Sequence, residues 1–241
     1  VPNPSIILVN TQLPENIGAA ARAMQNFGLG DLRLVAPREE WPNKRAYDLA
    51  GHAAGILDNA RLFKTTREAV ADCKRVYAAT ARNREMVKSV YTPAEGNKIL
   101  REEDVASAIL FGPERTGLTN DDVTIADAII TIPAAAENTS LNIAQSVVVI
   151  AYEWFQGALS RPAKETALVH KSDFASKEEL QVFFDRLERE LDQVDFWKTE
   201  EKKAKMWFNL RNIFTRASLT EQEVRTLHGV FAEIKKGNTT L

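Results

Sequence analysis

A chain of 241 residues, 44% hydrophobic and 27% charged, can bury a core as one large domain or as a domain with a smaller partner. A formal net charge of −2 excludes a globally basic nucleic-acid binder, and no apolar run approaches the roughly 18 residues that would span a bilayer. The single cysteine, Cys73, cannot form an internal disulfide, and His52, His170 and His228 lack metal-ligand spacing, so a soluble cytoplasmic protein with no metal is expected.

The opening VPNPSIILVNTQLPEN has no basic lead-in to a signal peptide, and its apolar run is strand-sized. Further runs of strand length follow at LRLVAP (32–37), RLFKT (61–65), RVYAAT (75–80), SAILFG (107–112) and AIITIP (128–133). Helical or loop segments separate them. This alternation predicts an α/β domain with a largely parallel, buried sheet, whose ligand-bearing loops lie at the strand C-terminal ends. NIGAAARAMQNFG (16–28) reads as a helix packed through small residues and closed by Gly28, while RAYDLAGHAAGILDN and TREAVADC are weaker helices. The stretch 81–98 has poor periodicity and reads as a long loop running into a short helix.

A long apolar helix is predicted over 140–158, with Thr139 or Ser140 as its N-cap. Beyond it, SRPAKETALVHKSDFAS is polar and aperiodic, which places a domain boundary near residue 160. Ser176 with Glu179 forms a capping-box pattern ahead of Leu180, Phe183, Phe184, Leu187 and Leu191. Met206 to Phe214 carry a second helical pattern, and Thr220 with Glu223 starts a third. The expected organisation is a domain over 1–160, a linker over 161–175 and a small helical module over 176–241.

The loop after the first strand has neither G-x-G-x-x-G nor G-x-x-x-x-G-K-[ST], so the two commonest phosphate cradles are absent. What stands out instead is polar chemistry at strand ends: Asn16 and Arg22 after the first run, FGPERTGLTND after SAILFG, and ENTSLN after AIITIP. In FGPERTGL, Gly112, Pro113 and Gly117 impose a tight backbone that can face a ligand closely, and an ordinary turn with Thr119 capping the next helix is the plainer alternative. Arg22 sits among alanines in AAARAMQ. On a buried face it would need a partner, and otherwise it is a snorkelling surface residue.

Three stretches, NIGAAARAMQNFGL (16–29), ILFGPERTGLTNDD (109–122) and IPAAAENTSLNIAQSVVVIAYEW (132–154), resemble in order and spacing the SpoU branch of the SPOUT superfamily, S-adenosylmethionine-dependent RNA methyltransferases. The tail from Lys205 to Ile234 is similar to the C-terminal extension of the TrmJ type, which methylates tRNA ribose 2′-hydroxyls in the anticodon loop. The resemblance implies a C-terminal trefoil knot in the sheet, a homodimer with its active site at the subunit interface, and S-adenosylmethionine as cofactor. It implies tRNA as substrate, with cytidine or uridine at position 32, or rRNA as the alternative.

The resemblance also assigns residues. Arg22 is implied as the catalytic arginine, also touching RNA, with Asn16, Glu114, Ser140 and Asn142 around it. Cofactor contacts are implied for Thr80, Ala81, Arg82, Phe111, Gly112, Glu114, Gly117, Ile132, Ser140, Leu141 and Asn142. A guanidinium gives up its proton too reluctantly to serve as a good base, so Arg22 is expected to orient the ribose hydroxyl and stabilise alkoxide charge, base action being the alternative. The segment 198–216 has six Lys or Arg against two Glu, so Lys202, Lys203, Lys205, Arg211 and Arg216 are expected to hold phosphates, with an exposed aromatic free to stack a base. Trp207 and Phe214 are expected in the core of the tail. A knotted RNA-binding module without activity and a nucleotide-dependent oxidoreductase are the rival readings; retention of Arg22, Glu114 and Asn142 disfavours the first, and the missing glycine fingerprint the second.

Overall fold

The computed structural model describes the chain except residues 83–85, 136, 138–139, 160–171, 198 and 239–241. The first part alternates β1 (Ser5–Val9), α1 (Pro14–Asn26), β2 (Leu32–Val35), α2 (Lys44–Ala50), α3 (Ala54–Asp58), β3 (Arg61–Phe63), α4 (Thr66–Ala69) and β4 (Arg75–Ala79). It continues through β5 (Ser89–Tyr91), α5 (Pro93–Glu103), β6 (Ser107–Phe111), α6 (Asn120–Ile125), β7 (Ala128–Ile130) and α7 (Ile143–Leu159). The described strands form one sheet in the order β3-β2-β1-β6-β4-β7-β5, with every neighbouring pair parallel.

The strand period of two builds a core on each face of this sheet. Ile6, Leu8, Leu34, Ile109 and Phe111 point to the face covered by α1, α5 and α7, while Ile7, Val9, Val35, Ala108 and Leu110 face α4 and α6. Small residues let the first layer close tightly: a Cβ on Gly18 would lie 2.0 Å from the carbonyl oxygen of Ala46, so α1 and α2 pack backbone to backbone.

Six strands coincide with the predicted runs. β5 does not: within the stretch read as a loop, Ser89–Tyr91 forms the far edge of the sheet against β7. A three-residue strand with Ser89 and Val90 exposed carries too little periodicity to be legible. Thr92 then opens α5 through a complete capping box with Glu95. Gly28 closes the turn after α1 at φ 71°, as expected of a glycine past a helix end.

The tail is α8 (Lys177–Gln193), α9 (Glu200–Arg216) and α10 (Glu221–Asn238). Its core gathers Leu180, Phe183, Phe184, Leu187 and Val224, with Trp207 and Phe214 packed against it, so both aromatics are core residues as read. The expected linker up to residue 171 lies outside the described residues. Beyond it, Phe174 lies under the Arg75 guanidinium at 3.6 Å, and the Lys177 ammonium binds Asp127 at 2.6 Å with both side chains buried. The backbone N–H groups of Lys177 and Glu178 donate to the carbonyls of Cys73 and Ala71. The tail is therefore seated on the α4 and α6 face by buried polar bonds.

Candidate active site

β6, β4 and β7 are neighbours in the sheet, so the loops leaving their C-terminal ends fall side by side. They enclose a cleft of about 350 Å³, within the range of small-molecule sites. Thr80, Ala81 and Arg82 enter from β4, Phe111, Gly112, Glu114 and Gly117 from β6, Ile132 from β7, and Ser140 and Leu141 from the approach to α7. Among the expected cofactor residues Asn142 alone does not line it. The structure adds Ala79, Pro113, Arg115, Ile130, Ile143 and Ser146. Ala79 and Ile130 end their strands and Ser146 lies inside α7, positions the sequence marked only as core or helix.

Hydrogen bonds tie the β4 and β7 loops together and close the β6 loop on itself, and Arg82 Nη2 donates across from the first to the Arg115 carbonyl at 3.4 Å. Thr80 N–H donates to the Ile130 carbonyl at 3.1 Å and Thr131 Oγ1 to the Thr80 carbonyl at 2.9 Å. Gly117 N–H returns to the Pro113 carbonyl at 2.8 Å, with Gly117 in the left-handed region at φ 67°. A Cβ on Gly112 would sit 2.1 Å from the Leu118 nitrogen. Glycine is thus needed at 112 for the loop to close on itself, and not to leave space for a ligand. Thr119 caps α6 through a box with Asp122, so the ordinary cap and the tight loop are both present.

The three motifs meet in one hydrogen-bonded chain. Glu114 accepts from Asn16 Nδ2 at 2.5 Å and from the Gln12 backbone N–H at 3.1 Å. Asn16 Oδ1 in turn accepts from Asn142 Nδ2 at 3.0 Å, and Asn142 Oδ1 accepts from Ala144 N–H at 2.9 Å. A carboxylate can only accept, so it fixes the amide of Asn16, and that amide fixes Asn142. Asn142 is the cap of α7, and its own N–H meets Gln145 Oε1 at 3.3 Å. The expected caps differ: Ser140 is exposed on the cleft, and Thr139 lies outside the described residues.

Arg22 is exposed on α1, among alanines that are themselves buried, and forms no ion pair among the described residues. Its side chain leaves the core and does not line the cleft of its own chain. Burial pushes the Cys73 thiol up to about 12, so it is no nucleophile. Among the described residues no group of His, Cys, Asp and Glu could hold a metal, and no helix is long and apolar enough to cross a membrane.

On the tail, Lys202, Lys205 and Arg216 are exposed. Lys203 is held by Asp192 at 2.7 Å and Glu188 at 3.3 Å. Arg211 is turned into the seam between the tail and α6, its guanidinium 5.5 Å over the Phe184 ring and its Nε enclosed, and burial holds its pKa below the ordinary arginine value. The structure therefore brings the cleft residues together but divides the five RNA contacts expected on the tail into three open cations and two that are engaged within the chain.

Residues 3–152 match the SpoU rRNA Methylase family, and residues 178–240 match the C-terminal domain of the tRNA methyltransferase TrmJ. The tRNA (cytidine/uridine/adenosine-2′-O-)-methyltransferase TrmJ of Pseudomonas aeruginosa is 34% identical, covering 96% of this chain and 93% of that one. The tRNA (cytidine/uridine-2′-O-)-methyltransferase TrmJ of Salmonella typhimurium is 35% identical over 98% of both. The crystal structure of TrmJ from Z. mobilis ZM4 superimposes with a TM-score of 0.88 at 44% identity, covering 97% of this chain and all of that one. With the three motifs joined at one cleft and both of its parts matched in sequence, the chain belongs to the SpoU methylase family, in its TrmJ branch.

Proposed function

We propose that the chain transfers a methyl group from S-adenosylmethionine to a tRNA ribose 2′-hydroxyl, in the anticodon loop at a cytidine or uridine in position 32. The observation that carries this reading is the Glu114–Asn16–Asn142 chain, which ties all three motifs to the rim of one cleft. The tRNA substrate is supported by the tail, matched to the TrmJ C-terminal domain, and by relatives named as tRNA methyltransferases. The family description names rRNA, so an rRNA target is the second reading.

The cleft suits the cofactor in size and in donor set: Thr80, Arg82 and Ser140 are polar, while Phe111, Ile130 and Leu141 offer apolar walls. When bound, the sulfonium supplies an electrophilic methyl group. Tightly closed backbone at 112–118 holds the cleft open, and Glu114 keeps Asn16 and Asn142 oriented at its rim. Transfer then needs the ribose hydroxyl in line and its developing charge stabilised.

Arg22 supplies that stabilisation from a second copy of the chain. Val148, Tyr152, Phe155 and Leu159 are exposed along α7 and Leu13 just before α1, and Phe27, directly after α1, packs edge-on to Tyr152. An apolar face of this kind, on α7 and beside the ends of the helix that carries Arg22, supports a homodimer that covers it. The knotted path belongs to the same proposal and is supported by Ser140 and Leu141 lining the cleft beside the 112–117 loop. Lys202, Lys205 and Arg216 contact RNA phosphates, and the cytoplasm is the proposed location. Mapping ribose methylation in total RNA after reaction with purified chain tests the reading: modification of tRNA at position 32 is expected, and modification confined to rRNA would transfer the assignment to the second reading.

A further inference from the structure

The cleft carries more positive charge than its cofactor calls for. Arg82 and Arg115 are the cations among its lining residues, and Glu114 is the carboxylate. Both Glu114 oxygens are engaged elsewhere, Oε1 by Asn16 Nδ2 and Oε2 by the Gln12 N–H. Arg115 is exposed, and its side chain has no hydrogen-bond or ion-pair partner among the described residues. Its backbone, by contrast, is fixed. The Arg115 carbonyl accepts from Arg82 Nη2, Gly117 N–H closes the loop on the Pro113 carbonyl, and the backbone at Leu118 leaves no room for a Cβ on Gly112. A tight loop thus presents a free, planar cation directly after Glu114, the residue that orients Asn16 and Asn142 at the rim.

Charge decides what that cation meets. S-adenosylmethionine carries one carboxylate against an ammonium and a sulfonium, so its net charge is positive, and one guanidinium suffices for its carboxylate. A second guanidinium in the same cleft gains nothing from such a ligand and calls for a different anion. An RNA strand brings one to the reacting atom: the ribose whose 2′-hydroxyl is methylated bears a phosphate on its neighbouring 3′-oxygen.

We propose that Arg115 binds the RNA phosphate beside the target ribose, so that the chain holding the cofactor also holds the nucleotide. This rests on the reading of the cleft as the cofactor site and of RNA as the substrate. Arg22, arriving from the partner, then meets a ribose whose backbone is already fixed, and the in-line geometry of transfer is set before the charge develops.

Arg115→Gln removes the charge and keeps most of the side chain's length. In the full-length protein with S-adenosylhomocysteine present, filter binding over a salt series is expected to show tRNA affinity about 10-fold weaker than wild type, the scale of one charge-assisted bond. The slope of log affinity against log salt should fall by about 0.7, one phosphate of a single-stranded loop. Calorimetric titration of the same variant with S-adenosylhomocysteine should give wild-type affinity. Arg115→Lys should restore the slope and only part of the affinity, because a point charge still releases the counterion but lacks the planar fork. Both variants should melt with wild type, since the side chain holds no bond among the described residues. A wild-type slope in Arg115→Gln, or a slope that lysine fails to restore, overturns the inference. Weakened S-adenosylhomocysteine binding by Arg115→Gln also overturns it and gives the guanidinium to the cofactor carboxylate. If wild-type protein itself does not bind S-adenosylhomocysteine, the cleft reading fails first; if it binds that ligand and no RNA, the substrate reading does.

Discussion

Asn142 Nδ2 donates to Asn16 Oδ1 at 3.0 Å, linking residues that lie 126 positions apart in the chain. The direction of this bond is dictated by Glu114, which takes the other end of the Asn16 amide. Asn16→Asp should therefore be worse than Asn16→Ala. It removes the donor to Glu114 and sets two carboxylates together, each disfavouring the charge of the other. Loss of a hydrogen bond to a charged group costs about 1.5–3 kcal/mol, so roughly a 10- to 100-fold fall in kcat/KM is expected for the alanine variant. Equal activity of wild type and Asn16→Asp would separate the relay from the chemistry.

How much of this was legible follows the physics of each residue. Buried strands announce themselves by apolar runs, and the three motifs carry their own glycine and amide signatures. β5 was hidden by its length. The cap of α7 was misplaced because Thr139, Ser140 and Asn142 are equally good caps in sequence, and only the amide of Asn16 selects Asn142. Arg22 could be read as buried or exposed, and it is exposed. Nothing in the sequence pattern singles out Lys88 or Lys177, and their burial depends on how the tail lies on α6, which periodicity does not encode.

Lys177 is the clearest of these. Its ammonium and the Asp127 carboxylate are both buried and 2.6 Å apart, and Asp127 Oδ2 also accepts from Val76 N–H at 2.8 Å. Lys177→Met leaves that carboxylate without its closest cation, a change that costs about 3–5 kcal/mol when a buried pair is broken. Removing residues 161–241 takes away the same cation, so the remaining domain should fold with a lower melting temperature than the full chain. Thermal denaturation of both proteins checks this, and an unchanged midpoint for Lys177→Met would show that water replaces the ammonium.

Lys88 makes stability depend on alkaline pH. Burial lowers its pKa from 10.5 to about 8, with the Asp127 charge opposing and Lys177, Arg211 and Arg216 adding to the shift. Between these values the unfolded chain binds more protons than the folded one, so this group's contribution raises stability as pH climbs from about 8 towards 10.5. Denaturant titrations of wild type and Lys88→Met across that window should differ in slope, the variant lacking the rise. Parallel curves would mean that Lys88 stays charged in the fold.

RNA affinity should divide the tail cations by their present partners. Lys202, Lys205 and Arg216 are exposed, whereas Lys203 is paired with Asp192 and Glu188. Replacing each of the first three by Gln should weaken tRNA binding and lower the slope of log affinity against log salt by about 0.7–0.9 for every phosphate left without its cation. Lys203→Gln should change the slope little. Filter-binding across a salt series makes the comparison, and an unaltered slope for the triple variant would move the RNA off this helix.

Arg22 carries the chemistry if it meets the cleft of a partner chain. Exposed on α1 and free of ion pairs among the described residues, it holds no structural bond there, so Arg22→Ala should leave folding and S-adenosylhomocysteine affinity intact. Turnover should fall by about 10²–10³, as when one charge-stabilising donor is deleted. Arg22→Lys should recover little, because a point charge lacks the planar fork that holds phosphate and hydroxyl together. Mixing Arg22→Ala with Asn142→Ala protein gives the decisive comparison. If each site takes Arg22 from one chain and Asn142 from the other, a heterodimer has one site lacking both residues and one site complete, and activity returns. If each chain completes its own site, every site in the heterodimer lacks one residue, and verified subunit exchange should restore nothing.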